Sequence, residues 1–389
     1  MSTADQLDLI SLDRLREIGS VKWAMFPDAI GAFVAEMDYG NAPAITEVLH
    51  RAVDDGLFGY LPPALGVAMS DACARWQKDR YGWEVPAERV RPLPDVLAGL
   101  SACIEHFTAP GSKVVLPTPA YMPFLTIPPA MGREIIQVPM LLENGRYVFD
   151  LEGLDRAFQN GGGLLVLCNP YNPLGRVFER GELEAVCEVV ERHGGRVFSD
   201  EIHAPLVYPG SHHVPYASIN ETAAAHTLTA TSASKAWNLP GLKTAQLILS
   251  NDADAEKWKT VGVMTEHGAS NLGVVANTAA YNDGREWLDD TVDYLDGNRR
   301  FLGELLERHI PGMGYSQPEG TYIAWLDARG LGIEGSPADF FRDRACVALT
   351  DGVACGTAGE GFLRFIFATS RPIIEQAVHQ MAAALDDRR

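Results

Sequence analysis

Four short stretches of the sequence place polar side chains directly after apolar runs that read as β-strands. They are TPAY (118–121), CNPYNPLG (168–175), SDEIH (199–203) and TSASK (231–235). Enzymes with open α/β sheets carry their chemistry just past the C-terminal ends of strands, so the four stretches are candidates for one shared site. Taken singly, each has a simpler interpretation as a turn, a helix cap or a solvated lysine.

Lys235 differs from an ordinary surface lysine in its neighbours. Ser232, Ala233 and Ser234 precede it, and Pro240-Gly241 turns the chain shortly after it. Small residues let the backbone approach a bulky group closely, and hydroxyl groups beside the lysine can donate to an anion. The stretch therefore favours a lysine that bonds covalently to an anionic cofactor.

The composition indicates a globular protein that acts on small molecules. The 389 residues are 47% apolar, enough for a large core and more than one domain. A formal charge of -19 repels phosphate backbones and anionic lipids, so neither nucleic acid nor a membrane is an expected partner. Six cysteines without a C-x-x-C pair, and an acidic N-terminus without a signal-peptide pattern, predict a reduced, cytoplasmic protein.

The order of predicted elements indicates an α/β fold with two domains. Between Val90 and Leu249, short β-rich runs alternate with helical stretches, which argues for a mostly parallel sheet covered by helices. After Asp254 the pattern changes to long helices, including one predicted over 289–310, and then to a small α+β unit. We predict a large domain over 46–284 and a small domain formed by 1–45 together with 285–389.

The ordered set of Asn172, Asp200 and Ser-x-x-Lys at 232–235 resembles the fold-type I pyridoxal 5'-phosphate (PLP) enzymes of the class I/II aminotransferase superfamily. That resemblance implies a large domain with a seven-stranded, mostly parallel sheet. One branch, the cystathionine β-lyase or carbon-sulfur lyase family, is the most similar. The stretches that carry the resemblance to this branch are AEMDYGNAP (35–43), LFGYLPP (57–63), SDEIHAPLVYPGSHHVPYASI (199–219), SKAWNLPGL (234–242) and PEGTYIAWLD (318–327).

The resemblance implies a role toward PLP for each residue of the set. Lys235 would hold the cofactor and then serve as the base that removes the substrate α-proton. Asp200 would face the ring nitrogen, Asn172 would donate to the ring hydroxyl oxygen, and Tyr121 would stack on the ring. His203 replaces the tyrosine that aminotransferases of this fold carry, and would lie beneath or beside the ring; a satisfied core histidine is the alternative.

Further residues are implied around the cofactor phosphate and the substrate. The phosphate would be bound by backbone N–H groups at a helix start and by side-chain donors, and the residues are Val96, Leu97, Ser232, Ser234 and Lys243. Tyr60 would reach the phosphate of the neighbouring subunit, which implies a homodimer. Arg364, on an apolar strand, would bind the substrate carboxylate through its planar pair of donors.

Some residues depart from the family pattern. Asp95 stands where glycine or serine is expected, and an acid there would repel a phosphate unless it caps the following helix, as we predict. Leu174 replaces the usual threonine. His203, His212 and His213 do not match a zinc-site spacing, so no metal is expected, and the last two are expected on a loop surface.

The predicted function is PLP-dependent β-elimination from L-cystathionine or a related S-substituted L-cysteine, giving a thiol, pyruvate and ammonia. A PLP-dependent aminotransferase is an open alternative. Its reaction has the same steps up to the removal of the α-proton, but the proton then returns to a carbon of the cofactor and the amine passes to a 2-oxo acid. A PLP-fold protein that binds a transcription regulator is an alternative of another class. Retention of Lys235, Asp200, Asn172 and Arg364 together argues against a purely regulatory role.

Overall fold

A computed structural model describes residues 3–387 of the chain. Within these residues the helices are α1 (Thr3–Asp8), α2 (Leu12–Ile18), α3 (Val21–Ala24), α4 (Pro43–Asp54), α5 (Pro63–Tyr81), α6 (Val96–His106), α7 (Pro123–Ala130), α8 (Leu151–Gln159), α9 (Arg180–Arg192), α10 (Glu221–His226), α11 (Asp252–Val261), α12 (Val263–Glu266), α13 (Asn271–Asp283), α14 (Arg285–His309), α15 (Pro337–Ala345) and α16 (Arg371–Asp386). The strands are β1 (Ile30–Gly31), β2 (Val90–Leu93), β3 (Lys113–Thr118), β4 (Ile135–Pro139), β5 (Leu141–Glu143), β6 (Arg146–Val148), β7 (Gly162–Cys168), β8 (Arg196–Asp200), β9 (Thr227–Thr231), β10 (Ala245–Leu249), β11 (Gly314–Tyr315), β12 (Ile323–Asp327), β13 (Val347–Ala348), β14 (Thr350–Asp351) and β15 (Phe362–Ile366).

The central sheet has seven strands in the order β2-β10-β9-β8-β7-β3-β4. Strands β4, β3, β7, β8 and β9 are mutually parallel, whereas β10 runs antiparallel to both of its neighbours. Strand β9 is buried along its whole length, and so are β7 and β8 apart from their first residues, as expected for parallel strands covered by helices on both faces. The mostly parallel sheet predicted from the sequence is therefore confirmed.

The strand register brings the functional stretches to one edge of this sheet. Cys168 at the end of β7 pairs with Asp200 at the end of β8, and Asp200 pairs with Ala230 near the end of β9. The chain segments that follow the three strands therefore leave the sheet side by side. Residues 169–175, 201–203 and 232–235 become neighbours although they lie far apart in sequence.

A second, antiparallel sheet follows helix α14, with the strand order β11-β12-β15-β14. Strand β15 lies beside β12 and carries Arg364, which pairs with Trp325 in the register. Helix α14 begins four residues before the predicted start, at Arg285, because the Glu286-Trp287-Leu288 stretch continues its amphipathic pattern.

The N-terminal segment packs against this C-terminal unit. Strand β1 pairs in parallel with β13, and the amide of Asp38 donates to the carbonyl oxygen of Ala368 at 3.0 Å. Gly31 of β1 crosses α3 so closely that a Cβ there would overlap the carbonyl oxygen of Lys22. We propose, with these contacts as support, that 1–45 and 285–389 form one domain beside a large domain over 46–284.

A buried ion pair holds the N-terminal segment in place. The Lys22 ammonium lies 2.8 Å from Oδ2 of Asp38, and both side chains are almost fully excluded from solvent. The indole Nε1 of Trp23 donates to the other carboxylate oxygen at 2.9 Å. Because the charges have left water, each depends on its partner for compensation.

No helix within residues 3–387 is both long and apolar enough to cross a membrane.

We expect Lys22→Met to lower the free energy of unfolding by about 3–5 kcal/mol, because it leaves the Asp38 carboxylate buried without its cation. The same substitution at Lys259, whose pair with Glu256 is solvent-exposed, is the matched control and should leave stability essentially unchanged. Chemical denaturation of both variants followed by tryptophan fluorescence measures the difference. Equal losses in the two variants would contradict a special role for the buried pair.

Candidate active site

A cavity opens at the C-terminal edge of the central sheet, between the sheet and the N-terminal segment. It is lined by Ala35, Pro94, Asp95, Val96, Leu97, Tyr121, Cys168, Asn172, Asp200, Ile202, His203, Ser234, Lys235, Pro240, Lys243, Thr244 and Ala245. All four sequence stretches contribute to this lining. The placement that their position after strands predicts is thus observed, and the register of β7, β8 and β9 is its physical cause.

Lys235 follows β9 and directs its ammonium group toward the N-terminal segment. Its Nζ donates to the carbonyl oxygen of Ala35 at 2.8 Å. Burial, and next the positive charge of Arg364, lower the pKa of Lys235 from its ordinary value of 10.5 to about 8. A lysine in this state gives up its proton near neutral pH, as an amine that must act as nucleophile or base requires.

Asp200 ends strand β8 with its side chain inside the cavity. Its Oδ1 accepts a hydrogen bond from the amide of Ile202 at 3.1 Å. Burial raises the pKa of Asp200 to about 7, against the smaller lowering effects of that hydrogen bond and of Lys235. The hydrogen bond from Ile202 and the charge of Lys235 therefore do not fully balance the negative charge of the buried Asp200 carboxylate. A cation placed against this carboxylate would favour its ionised form.

His203 lies in the same cavity with 2% of its surface exposed. Its Nδ1 has no hydrogen-bond partner among the described residues, and its ring packs edge-on against Tyr322 at 5.8 Å between centroids. Burial, then Lys235 and Arg364, lower the pKa of His203 to about 3, so the imidazole is neutral. A satisfied core histidine would have a partner for Nδ1, and the cavity position favours a functional role instead.

Arg364 stands on β15 beside Asn172 and has 2% of its surface exposed. Its Nη2 donates to the carbonyl oxygen of Phe33 at 2.7 Å, and Nη1 donates to Oδ1 of Asn172 at 3.3 Å. Its Nε lacks a partner, and no carboxylate of residues 3–387 forms an ion pair with it. A buried guanidinium without an anion is suited to bind an incoming carboxylate.

Tyr121 also lines the cavity, near Arg364 and Asp200. Its ring contacts Phe124 edge-to-face at 5.4 Å, which fixes its orientation. Burial raises the pKa of Tyr121, while the charge of Arg364 lowers it by less. The phenol therefore stays protonated and its ring face is available for stacking.

The start of helix α6 forms the far end of the cavity. Asp95 is its N-cap, with Oδ1 accepting from the amide of Ala98 at 2.9 Å, so the predicted capping role is confirmed. The amides of Val96 and Leu97 stand in the first turn, where a helix leaves its N–H groups without intrahelical acceptors. Lys243 reaches this end and places Nζ 3.3 Å from Oδ2 of Asp95.

Three predicted site residues are not part of the cavity lining, namely Arg364, Ser232 and Tyr60. Arg364 contacts the lining through its hydrogen bond to Asn172. The Ser232 hydroxyl donates to the carbonyl oxygen of Thr244 at 2.7 Å and accepts from the amide of Ser234, so it braces the loop. Tyr60 is 86% exposed and lies beside His267 on the outer surface. The roles predicted for Ser232 and Tyr60 toward a cofactor stay predictions.

The expectation that His213 lies on the loop surface is wrong, whereas His212 is exposed as expected. His213 is buried, and its Nε2 lies 3.1 Å from Oε2 of Glu201. Glu201 is itself buried, and its Oε1 accepts from the Ser199 hydroxyl at 2.8 Å and from the Tyr216 amide at 2.9 Å. A buried carboxylate needs such partners, and the loop folds inward to supply them.

Sequence reasoning also missed the contribution of the N-terminal segment. Phe33 and Ala35 reach Arg364 and Lys235 through backbone carbonyl oxygens, which no side-chain pattern reveals. The hydroxyl of Tyr322 donates to the same Ala35 oxygen at 3.0 Å. The stretches that contain Ala35 and Tyr322 resemble the carbon-sulfur lyase branch, but their residue types do not indicate these contacts.

Comparison with known proteins agrees with this arrangement. The model of the family "Aminotransferase class I and II" matches residues 34–381. A cystathionine beta-lyase from Corynebacterium glutamicum is 39% identical over 378 residues, which is 96% of this chain and 99% of that protein. Among solved structures, a putative PLP-dependent beta-cystathionase from Corynebacterium diphtheriae has a TM-score of 0.92 at 41% identity and covers 98% of this chain and 99% of its own.

Cystalysin from Treponema denticola, whose crystal structure contains a pyridoxal 5'-phosphate cofactor, has a TM-score of 0.91 at 28% identity and covers 98% of each chain. These matches extend over nearly the whole chain and confirm the predicted fold-type I architecture. The chain belongs to the aminotransferase class I and II family.

Proposed function

We propose that this protein is a PLP-dependent carbon-sulfur lyase that catalyses β-elimination from L-cystathionine or a related S-substituted L-cysteine. The observation that carries the proposal is the position of Lys235 in one cavity with Asp200, close to the unpaired guanidinium of Arg364. An amine of lowered pKa, a buried acid and a carboxylate receptor are the three groups that this chemistry requires of the protein.

The groups of the cavity fit PLP. Asp200 is a buried carboxylate whose pKa is raised for want of a full counter-charge, and a protonated ring nitrogen would supply that charge. At the far end, the helix start at Val96 and the ammonium of Lys243 form an anion-binding end suited to a phosphate. Lys235 lines the same cavity, where its amine can hold an aldehyde.

Each remaining residue of the site then has a proposed place. Asn172 would donate through its amide to the ring hydroxyl oxygen, and Tyr121 would stack on the ring. The neutral His203 would lie against the ring without adding a charge that competes with Asp200. The phosphate would be bound by the residues Val96, Leu97, Ser232, Ser234 and Lys243.

PLP, when bound, supplies an aldehyde that condenses with amines and a ring that accepts the charge left by a departing α-proton. Arg364 would bind the substrate carboxylate with paired donors and so fix the orientation of the α-carbon. Lys235, with a pKa near neutrality, would take the α-proton. The electron pair left behind expels the thiolate from Cβ, and hydrolysis of the three-carbon remainder gives pyruvate and ammonia.

Elimination and transamination both begin with removal of the α-proton. The two reactions differ only in the steps that follow. The relatives that resemble this chain over almost its full length include a cystathionine beta-lyase at 39% identity and a putative beta-cystathionase at 41% identity. These names support elimination as the main reaction of this chain. The sulfur leaving group supports it too, since a thiolate is expelled more readily than most β-substituents.

We also propose that the active unit is a homodimer. Tyr60 and Phe58 are 86% and 67% exposed on a surface that includes Val67 and Val263, both more than half exposed around one groove. Such a run of exposed apolar side chains is typical of a protein–protein interface. In a dimer, Tyr60 of one subunit would donate its hydroxyl to the cofactor phosphate in the other.

A cytoplasmic location is part of the proposal. The six cysteines are free thiols, five of them buried, which is typical of proteins kept in a reducing compartment. The proposal does not specify which thioether is the preferred substrate.

We expect the purified protein, loaded with PLP, to release thiol and pyruvate from L-cystathionine in equal amounts without any added 2-oxo acid. Lys235→Ala should lower that rate by at least roughly a thousandfold, because it removes the base. Lys259→Ala is the control, since this exposed lysine lies outside the cavity. Thiol formation is measured with a disulfide reagent and pyruvate with lactate dehydrogenase. Turnover that starts only after a 2-oxo acid is added would make the protein an aminotransferase.

The raised pKa of Asp200 predicts a pH dependence of stability in the cofactor-free protein. The folded state holds this proton up to about pH 7, while the unfolded chain releases it near pH 3.8, so the contribution is full below pH 3.8 and is lost as pH rises to 7. Asp200→Asn keeps the acceptor for Ile202 and removes the titration. Its stability relative to wild type should rise by about 3 kcal/mol between pH 4 and pH 7, because the full slope of about 1.36 kcal/mol per pH unit holds only well between the two pKa values.

Chemical denaturation of both proteins across this pH range measures the difference. Asp200 is the main cause of any change in this difference below pH 7, since Lys235, whose pKa the Asp200 charge raises, titrates near pH 8. Parallel stability profiles would show that Asp200 is ionised throughout.

We expect Tyr60→Phe to weaken PLP binding roughly tenfold and to leave the dimer intact, because it removes one hydroxyl donor to a charged phosphate. Tyr315→Phe, which removes a hydroxyl bonded to the carbonyl oxygen of Arg299, is the matched control and should bind PLP normally. Analytical ultracentrifugation gives the mass and PLP titration gives the affinity. A fully active monomer would refute the shared site.

A further inference from the structure

Asn238 lies three residues after Lys235 and has a left-handed backbone, with φ of 58°. Residues with a side chain rarely adopt this conformation, although asparagine tolerates it better than most. The amide is turned toward the N-terminal segment and not toward the cavity, whose lining does not include it. The residue therefore has a function other than direct contact with a cofactor.

The Asn238 amide pairs with the N-terminal backbone in both directions. Its Oδ1 accepts from the amide of Met37 at 3.0 Å, and its Nδ2 donates to the carbonyl oxygen of Met37 at 2.9 Å and to that of Gly40 at 3.3 Å. We call these three hydrogen bonds the Asn238 clasp. Only a side-chain amide offers a donor and an acceptor at this spacing, so aspartate or serine could not replace it.

Asn41 joins the same two segments through hydrogen bonds that start from the N-terminal segment. Its Nδ2 donates to the carbonyl oxygens of Trp237 and Asn238, both at 3.0 Å. The loop after Lys235 and the segment around Met37 are thus tied by both asparagines. Two residues 197 positions apart in sequence hold each other's backbone.

The segment held by the Asn238 clasp is the one that contacts both active-site cations. Ala35, two residues before Met37, accepts from Lys235 at 2.8 Å, and Phe33 accepts from Arg364 at 2.7 Å. Asn238 lies on the loop that carries Lys235 itself. The clasp therefore fixes the distance between the Lys235 amine and its acceptor from both ends.

We propose that Asn238 is a positioning residue for proton transfer by Lys235: the clasp holds the Ala35 carbonyl oxygen where it orients the Lys235 amine. This inference rests on the proposed function, in which Lys235 is the base. It adds that the rate of proton removal depends on an asparagine outside the cavity. A displacement of about 1 Å at a reacting group can cost on the order of a hundredfold in rate.

Asn238→Gly tests the proposal because glycine adopts positive φ freely and loses only the three side-chain hydrogen bonds. Asn144→Gly is the matched control, since Asn144 also has positive φ, at 51°, and lies in the turn between β5 and β6. Both variants are loaded with PLP and mixed with L-alanine in D₂O, and α-proton exchange is followed by NMR. Alanine has no leaving group at Cβ, so its exchange reports removal and return of the α-proton without any contribution from elimination.

We expect Asn238→Gly to bind PLP with its normal visible absorbance and to exchange the alanine α-proton roughly 10- to 100-fold more slowly at saturation. The alanine concentration for half-maximal rate should change much less. Amide hydrogen exchange should speed up at Met37, in the cofactor-free protein as well as in the loaded one. Asn144→Gly should match wild type in every measurement.

Two results would overturn the proposal: wild-type alanine exchange in Asn238→Gly, or unchanged protection of the Met37 amide. Wild-type protein that exchanges alanine but releases no thiol from L-cystathionine would refute the lyase function alone, and the comparison of variants would still decide the role of Asn238. Wild-type protein that neither exchanges the alanine α-proton nor releases thiol from L-cystathionine would refute both.

Discussion

The burial of an amine, a carboxylate and an imidazole in one cavity, with a guanidinium buried beside its lining, is the constraint on which the rest of the structure depends. Lys235, Asp200, His203 and Arg364 have all left bulk water, and burial is the largest cause of each pKa change among them. Burial moves each of the four pKa values toward the neutral form. Amine and acid consequently titrate within about one pH unit of each other, near neutrality. Groups in that condition can exchange protons with a substrate at little cost.

Such a site needs rigid support, and the sheet provides most of it. The pairing of Cys168 with Asp200 and of Asp200 with Ala230 sets the spacing of the functional segments before any side chain is considered. Beneath the sheet edge, the buried Glu201–His213 pair anchors the backbone directly after Asp200. The remaining support comes from the N-terminal segment, whose own position depends on the Lys22–Asp38 ion pair.

Much of this could be predicted from the sequence, and what could not has a physical reason. Strands β3, β7 and β8 were recognisable because they contain buried apolar runs, and the threonine-rich β9 because of its β-branched residues. Polar residues directly after these four strands marked the site. The inward fold of His213 could not be predicted, because it depends on a carboxylate brought near only by the tertiary fold. The hydrogen-bond acceptors of Lys235 and Arg364 could not be predicted because they are backbone carbonyl oxygens, which every residue carries. The position of Tyr60 away from the cavity is explained by a second subunit only under the proposed dimer.

The parallel pairing of β1 with β13 has a consequence for how the chain is made. Residues 30–31 emerge from the ribosome early, but their partners at 347–348 are among the last to be synthesised. The contact between Phe33 and Arg364 spans 331 positions in the same way. The central sheet, complete once residue 249 has been translated, can form long before either contact exists. During translation, therefore, residues 35–41 can contact the loop after Lys235 early, whereas residues 30–33 lack their strand and hydrogen-bond partners until 347–348 and Arg364 have been synthesised.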